Sequence, residues 1–366
     1  MSGNFAIVLI QKISDKNKEE NFIISPIGIE ILLALCSNGA EGETQKEILE
    51  LLKYKDIEQA NSESKNIIEE FRKNEDILKI ANAILTKVSA KEKFIKTAID
   101  DYDSKVEELK EFEHVNKWVK AKTNNYIEKI IDSLPPNVLM ILLNALYFEA
   151  FWKIKFDIRQ SYEEKFYNLD NKNKSVMTSM MFLRGTLLNH YENEEVQAVK
   201  LNYESNAENI NAIIILPKEI EINFFIKYFN TEKYEKLIEG LNKDKIKVNL
   251  ILPKFKIEYK INLNEDLKDL GIIKAFTNDA EFKKICNKSP IHIGNVLQKN
   301  YINVNEEGTQ AASINELDII LECYRSKDPD AKDFIVNKPF LFMLRNEKLP
   351  KGRDILFFTK ICKIEK

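Results

Sequence analysis

The side chains that usually carry chemistry are scarce in this chain and poorly spaced for it. The histidines are His114, His190 and His292, far apart and without ligand-like neighbours. The cysteines are Cys36, Cys286, Cys323 and Cys362, in no CxxC and no metal spacing. No zinc site, other metal site or disulfide framework is expected from them. Cys36 and Cys362 sit in apolar runs and read as small buried hydrophobes, whereas Cys323 falls in the polar half of a long irregular segment. No GxxxxGK[ST], HExxH, GxSxG or dinucleotide fingerprint occurs. Gly39 and Gly42 in NGAEGET read as a helix cap and a turn rather than a phosphate loop. The chain has 58 acidic residues, with no pattern that selects a catalytic pair. These features point away from an enzyme and away from a cofactor.

One segment stands out instead, NVNEEGTQAASINELDIILECYRSKDPDAKDFIVNKPF, residues 303–340. It begins as a strand, passes through a run of small residues from Gly308 to Ser313, mixes acids with aliphatics, and returns to strand character at Asp333. Thr309, Ala311, Ser313, Asn315, Leu317, Ile319 and Leu321 form one alternating set, mostly small or apolar. The intervening set is more polar. Period-two alternation is that of a half-buried strand, yet the small residues at its start have low strand propensity. A segment able to become a strand, but not committed to being one, is the natural place to look for function.

The elements around it read as α+β. Residues 4 to about 130 are mostly helical: Phe5–Ser14, a helix opened by Pro26 with Ser25 as N-cap, Glu43–Leu52, Asn61–Arg72, Lys91–Tyr102 and His114–Ile131, with a strand at Leu78–Thr86. Strands then dominate, at Val138–Phe148, Lys174–Leu183, Gly185–Glu192, Val196–Tyr203, Asn211–Leu216, Lys245–Pro253, Phe255–Asn262, Ile291–Leu297, Tyr301–Asn305, Asp333–Arg345 and Ile355–Ile364. Helices interrupt at Asn223–Leu241 and Leu263–Leu270. Helices first and strands afterwards is not the alternation of a doubly wound fold. With 10 glycines and 9 prolines in 366 residues, and no linker, a compact chain is expected. The net charge of −3 gives no basis for a nucleic-acid surface. The apolar run Phe5–Ile10 is too short for a secretory signal or a membrane span, so a cytoplasmic location without membrane contact is the expectation, export by a signal-independent route remaining open. Two residues need positioning by these elements. Asn144 is an amide in the apolar strand VLMILLNALYF and must find partners, either as an ordinary core polar group or as a lock between strands. Trp152 follows Phe148 and Phe151 where that strand ends, as packing or as a cap over the sheet.

Six separated motifs resemble the serpin family, in that family's order and spacing. They are NFIISPIGIEILLALCSNGAEGET (21–44), LLNALYFEAFWKIKF (142–156), INAIIILP (210–217), LPKFKIEYKINLNEDLKDLGI (252–272), VNEEGTQAAS (304–313), and VNKPFLFMLRN with ILFF (336–346 and 355–358). The resemblance covers about residues 4 to 364. It implies one serpin domain over 1–366, of about nine helices and three sheets, with a hinge and reactive-centre loop at 306–332. It implies a suicide-substrate inhibitor of endopeptidases: a protease cleaves the loop, is held as an acyl-enzyme, and is displaced when the loop inserts into the central sheet. The residues that resemble the hinge are Glu306, Glu307, Gly308, Thr309, Gln310, Ala311, Ala312 and Ser313. By the same resemblance Lys254 pairs with Glu306, Trp152 is the breach tryptophan, and Ser25 and Asn144 belong to the central shutter. By the resemblance Gln298 also belongs to the shutter, and there the chain departs from the family pattern, since the shutter histidine falls on Gln298 and a second shutter hydroxyl on Gly28; it departs further at Thr359, where a glycine is usual, and at Ile314 and Asn315 in the loop.

Two bonds compete for cleavage. Fourteen residues beyond the hinge Gly308, the family's usual spacing, stands Glu322, giving Glu322–Cys323. Side-chain chemistry favours Arg325–Ser326, a bond of the kind trypsin-like proteases cut. The implied partner is a target protease in a covalent 1:1 complex, a serine protease first and a cysteine protease as the alternative, with the inhibitor monomeric. A non-inhibitory carrier, chaperone or storage role is the competing class. Heparin-like activation is not supported, because the lysines between Lys110 and Lys129 are interspersed with acids.

Overall fold

Local chemistry starts the helices of the first half. Asn4, Ser25 and Asp56 each accept a bond from a backbone N–H in the turn that follows, and Pro26 takes the first helical position, where no N–H is needed. The computed structural model describes every residue except 1–3, 110–111, 134–138, 170–174, 287–290, 310–325 and 366. The chain begins α1 (Phe5–Lys16), β1 (Phe22–Ile24), α2 (Pro26–Gly39), α3 (Gly42–Leu52), α4 (Ile57–Lys73), β2 (Leu78–Thr86), α5 (Glu92–Tyr102), β3 (Ser104–Glu108) and α6 (Phe112–Lys122). It continues β4 (Met140–Phe148), β5 (Ala150–Phe151), β6 (Tyr162–Tyr167), β7 (Ser175–Glu192), β8 (Val196–Asn202), β9 (Ile210–Pro217), α7 (Ile222–Tyr228), α8 (Thr231–Leu241), β10 (Lys245–Pro253), β11 (Phe255–Asn262) and α9 (Asn264–Asp269). It closes with β12 (Ile293–Val304), β13 (Gly308–Thr309), β14 (Lys332–Ile335), β15 (Phe340–Asn346) and β16 (Ile355–Ile361).

The strands form two hydrogen-bonded networks. The first runs β3-β2-β4-β12, with β11 on the far side of β12 and the short β13 and β5 at one end. β4 and β12 are parallel and directly paired, from Met140 opposite Ile293 to Leu146 opposite Asn300. The second network has nine strands, β1-β16-β15-β9-β8-β7-β10-β14 with β6 against β7. The three sheets expected from the sequence are therefore two networks here, because the 18-residue β7 joins what would be the second and third.

β4 is buried on both faces, and its alternation divides the core. Met140, Leu142, Leu146 and Phe148 join the main core, with α2 packed behind them. Ile141, Leu143, Ala145 and Tyr147 join a second cluster, with Val115 and Val119 of α6 and Ile127, Ile130 and Ile131 of the segment after it. The seam between β4 and β12 is thus covered on both sides.

Several expected elements change length for visible reasons. The helix expected over His114–Ile131 ends at Lys122, because Asn124 and Asn125 take left-handed φ of 49° and 69°. The helix expected over Asn223–Leu241 is two helices, the second capped by Asn230 accepting from Lys233 N. The two strands expected around residue 184 are one, turning at Gly185 with φ of +53°. Ile291–Leu297 and Tyr301–Asn305 merge into β12, and Asp333–Arg345 divides around Pro339 into β14 and β15.

Candidate functional site

The seam between β4 and β12 holds buried polar side chains at mid-height. Gln298 on β12 lies directly opposite Asn144 on β4, and its Nε2 donates to Asn144 Oδ1 at 2.6 Å and to the Ser25 carbonyl at 2.9 Å. Its Oε1 accepts from Ser25 N and from Asn300 Nδ2, both at 2.9 Å. Asn144 Nδ2 donates to Asn82 Oδ1 on β2 at 2.7 Å, and Ser25 Oγ accepts from Gly28 N at 3.2 Å. All five side chains are buried without exposure. The network therefore crosses three strands and pins the start of α2 to the sheet. A glutamine can do this because one amide offers two donors and two acceptor lone pairs. Gly28 is explained by the same packing: a Cβ there would stand 2.6 Å from the Asn144 amide.

A second group closes the end of the seam where β4 and β12 part. Gly308 and Thr309 form β13, with Thr309 opposite both Val304 of β12 and Ala150 of β5. Gly308 approaches β5 so closely that a Cβ would meet the Ala150 carbonyl oxygen at 2.1 Å. Thr309 is fully buried, its Oγ1 2.6 Å from Tyr203 Oη. Burial holds the Tyr203 phenol protonated, well above its ordinary range. Tyr203 stacks on Trp152 with centroids 4.6 Å apart, and Trp152 Nε1 donates to the Asn305 carbonyl at 2.9 Å. Glu306 is nearly buried. Its carboxylate meets Lys254 Nζ at 2.9 Å and accepts from Ser161 Oγ at 2.6 Å, while its carbonyl accepts from Phe156 N at 3.0 Å. Glu307 faces solvent and pairs with Lys155 at 2.8 Å.

The structure thus gathers Ser25, Asn144 and Gln298 at mid-seam, and Trp152, Lys254, Glu306, Glu307, Gly308 and Thr309 at its end. Gln310, Ala311, Ala312, Ser313, Ile314, Asn315, Glu322, Cys323 and Arg325 lie outside the described residues. Ser326 is exposed, and Lys327 pairs with Asp333 at 2.6 Å where the chain enters β14. Four contributors were missed from sequence: Asn82, Asn300, Tyr203 and Ser161. Asn82 carried the same signal as Asn144, a lone amide in an apolar strand. Tyr203 and Ser161 are joined to the site only by tertiary packing. The histidines stay apart, and no cluster of three potential metal ligands occurs among the described residues. Cys36, Cys286 and Cys362 are buried. No helix among the described residues is long and apolar enough to cross a membrane.

Fold and site together define an α+β chain in which Gly308 and Thr309 stand at the end of a seam between two paired parallel strands. The sequence model of the family "Serpin (serine protease inhibitor)" matches residues 1–364. A serine protease inhibitor of the mouse, Mus musculus, is 30% identical over 380 residues, covering 99% of this chain and 87% of that protein. Among solved structures, the native state of the thermophilic serpin Tengpin superimposes with a TM-score of 0.84 at 28% identity, covering 99% of this chain and 92% of that one. Native protease nexin-1 with heparin gives 0.83 at 26% identity, covering 99% and 97%. The chain belongs to the serpin family. Its members act as protease inhibitors rather than enzymes, and the reactive-centre loop and conformational change of that mechanism belong to this fold.

Proposed function

We propose that this serpin inhibits a serine endopeptidase as a suicide substrate, forming a covalent 1:1 complex, and that the loop enters between β4 and β12. One observation carries the reading: β4 and β12 are paired side by side from Met140–Ile293 to Leu146–Asn300, while Thr309 already occupies the gap at their end. Insertion replaces that single parallel pairing by two antiparallel ones. Residues that enter bond through their backbone alternately to β4 and to β12 and bury side chains on the core face, so cleavage releases free energy stored in the closed sheet. The small uncharged side chains after Gly308 suit rapid entry, since a charge at Thr309 would have to be desolvated.

The register favours cleavage at Glu322–Cys323. Stepping from Thr309 opposite Ala150, residue 319 reaches Met140, the far end of β4. Glu322 then lies three residues past the sheet and Arg325 six, about 10 Å and about 20 Å of extended chain. A shorter tether leaves the acyl-enzyme less slack, which supports Glu322 and a protease that accepts acidic residues. Arg325–Ser326 is the second site, supported by substrate chemistry. Lys120 bridges Glu128 at 2.8 Å and Lys129 bridges Asp132 at 3.1 Å, which supports inhibition without a heparin-like cofactor, unlike the heparin-bound relative. A monomer in the cytoplasm, one domain over 1–366 with a loop at 306–332, completes the proposal.

The test is incubation with a panel of acid-specific, trypsin-like and chymotrypsin-like serine proteases and a papain-like cysteine protease. A complex stable to denaturant, with the released C-terminal fragment weighed by mass spectrometry, is expected, and Thr309→Arg should convert the protein to a substrate. Turnover without complex by every protease, together with no gain in melting temperature on cleavage, would place the protein in the non-inhibitory class.

A further inference from the structure

Insertion requires β4 and β12 to part, so any contact that holds both strands from outside the sheet opposes it. One such contact is made by a residue far from the loop. Tyr147 on β4 and Tyr301 on β12 stand one position beyond the paired residues Leu146 and Asn300, facing one another across the seam. Tyr126, in the segment after α6, lies over both. Its ring stacks on Tyr147 at 4.9 Å between centroids and 8° between planes, and on Tyr301 at 5.8 Å and 28°.

The segment that carries Tyr126 is anchored independently of it. Asn116 Oδ1 on α6 accepts from Ile130 N and Ile131 N at 2.9 and 3.1 Å, and Ile127, Ile130 and Ile131 are buried in the second core. Towards β12 and β11, Lys299 Nζ donates to the Lys129 carbonyl at 2.8 Å and Lys260 pairs with Asp132 at 2.5 Å. Tyr126 is consequently a tethered ring bridging the two strands at the end of the seam where Thr309 waits.

We propose that Tyr126 is a clasp across the β4–β12 seam that sets the rate of strand insertion. Entry of a strand widens the spacing of β4 and β12 by about 4.8 Å. Stacked rings hold contact only with centroids within about 7 Å, so Tyr126 keeps one partner and loses the other when the seam opens. The clasp therefore stabilises the closed sheet relative to the opened one. Tyr126 is a positioning residue, acting through Tyr147 and Tyr301.

This inference rests on the insertion reading above, and one experiment separates the two. A synthetic peptide of residues 309–321 is annealed into the uncleaved full-length protein, and its rate of incorporation is measured for wild type, Tyr126→Leu, Tyr126→Ala and Tyr126→Phe. Melting temperatures are measured before and after loop cleavage. Faster annealing is expected for Tyr126→Leu and Tyr126→Ala, about tenfold, with wild-type rates for Tyr126→Phe, which keeps the ring. The same two variants should lower the melting temperature of the uncleaved protein more than that of the cleaved one. If wild type neither incorporates the peptide nor gains stability on cleavage, the insertion reading falls, and the clasp with it. If wild type does both but Tyr126→Leu anneals within twofold of wild type, or loses equal stability in the two forms, the clasp is overturned and insertion stands.

Discussion

Gln298 Nε2 and Asn144 Oδ1 are 2.6 Å apart, and the two residues are direct neighbours on strands that must separate for the loop to enter. The bond is thus one of the interactions that insertion breaks. Replacing Gln298 by Ala removes the partner of Asn144 Oδ1, Ser25 N and an Asn300 donor, all in buried positions. An unsatisfied buried polar group costs about 1–3 kcal/mol, and water entering the vacated space offsets part of that. We expect Gln298→Ala to lower the stability of the uncleaved protein by about 2–4 kcal/mol, read as a lower urea midpoint at unchanged m-value. An unchanged midpoint would show that the network is incidental.

At the end of the seam, Lys254 holds a carboxylate that is nearly buried. Lys254→Ala leaves Glu306 with Ser161 as its remaining side-chain partner. Removing one member of a buried pair is strongly destabilising, although the exposure of Lys254 moderates it here to about 1–2 kcal/mol. Differential scanning calorimetry should show a lower melting temperature for Lys254→Ala, and a smaller loss for Glu306→Gln, which can still accept from Ser161. The reverse order of the two variants would contradict this account.

Register extends the site into the inserted state. From Thr309 opposite Ala150 and Val304, residue 315 arrives opposite both Asn144 and Gln298. Opposed residues in a sheet share a face, so the Asn315 amide would enter the polar layer, where Asn82 Nδ2 and Asn300 Oδ1 have no partner in the closed sheet. Asn315→Ala should therefore lower the melting temperature of the cleaved form and leave the uncleaved form unchanged. Equal melting of cleaved wild type and cleaved variant would exclude this register.

A pH dependence arises on β7, away from the seam. His190 Nε2 is buried without a hydrogen-bond partner, and its ring stands edge-on to Phe334 of β14. Burial, with smaller contributions from Lys332 and Lys218, lowers its pKa to about 4 from an ordinary value of 6.5. Glu192, between those two lysines, pairs with both. The unfolded chain therefore binds the proton more readily than the folded one. Stability from the neutral ring is fully present above about pH 6.5 and is lost as pH falls towards 4. Thermal melts from pH 7 to 4 should show a steeper loss for wild type than for His190→Gln. Parallel curves would show that His190 does not titrate this way.

Much of the architecture was legible because its causes are local. The Leu78–Thr86 strand is found with the same ends, and the helix opened by Ser25 and Pro26 starts where capping places it. Boundaries failed where tertiary pairing overrode them: β7 runs through Gly185, and β12 runs through Gln298 and Asn300 because those two side chains meet buried partners. The polar layer was only half visible for the same reason. Asn144 announced itself as an amide in an apolar run, whereas nothing in the residues around Gln298 singles it out, and only the family resemblance assigned it to the shutter. Gly28 and Gln298, which looked like two independent departures, adjoin the same Asn144 amide.

The contact between Gly308 and the Ala150 carbonyl also bears on how this protein could be engineered. Position 308 admits no side chain, and Thr309 is already fixed against Tyr203. A foreign recognition sequence can therefore be spliced in after Thr309 without disturbing its anchorage. The scaffold then serves as a fixed socket for interchangeable loops, provided that each replacement keeps small uncharged residues in its first few positions.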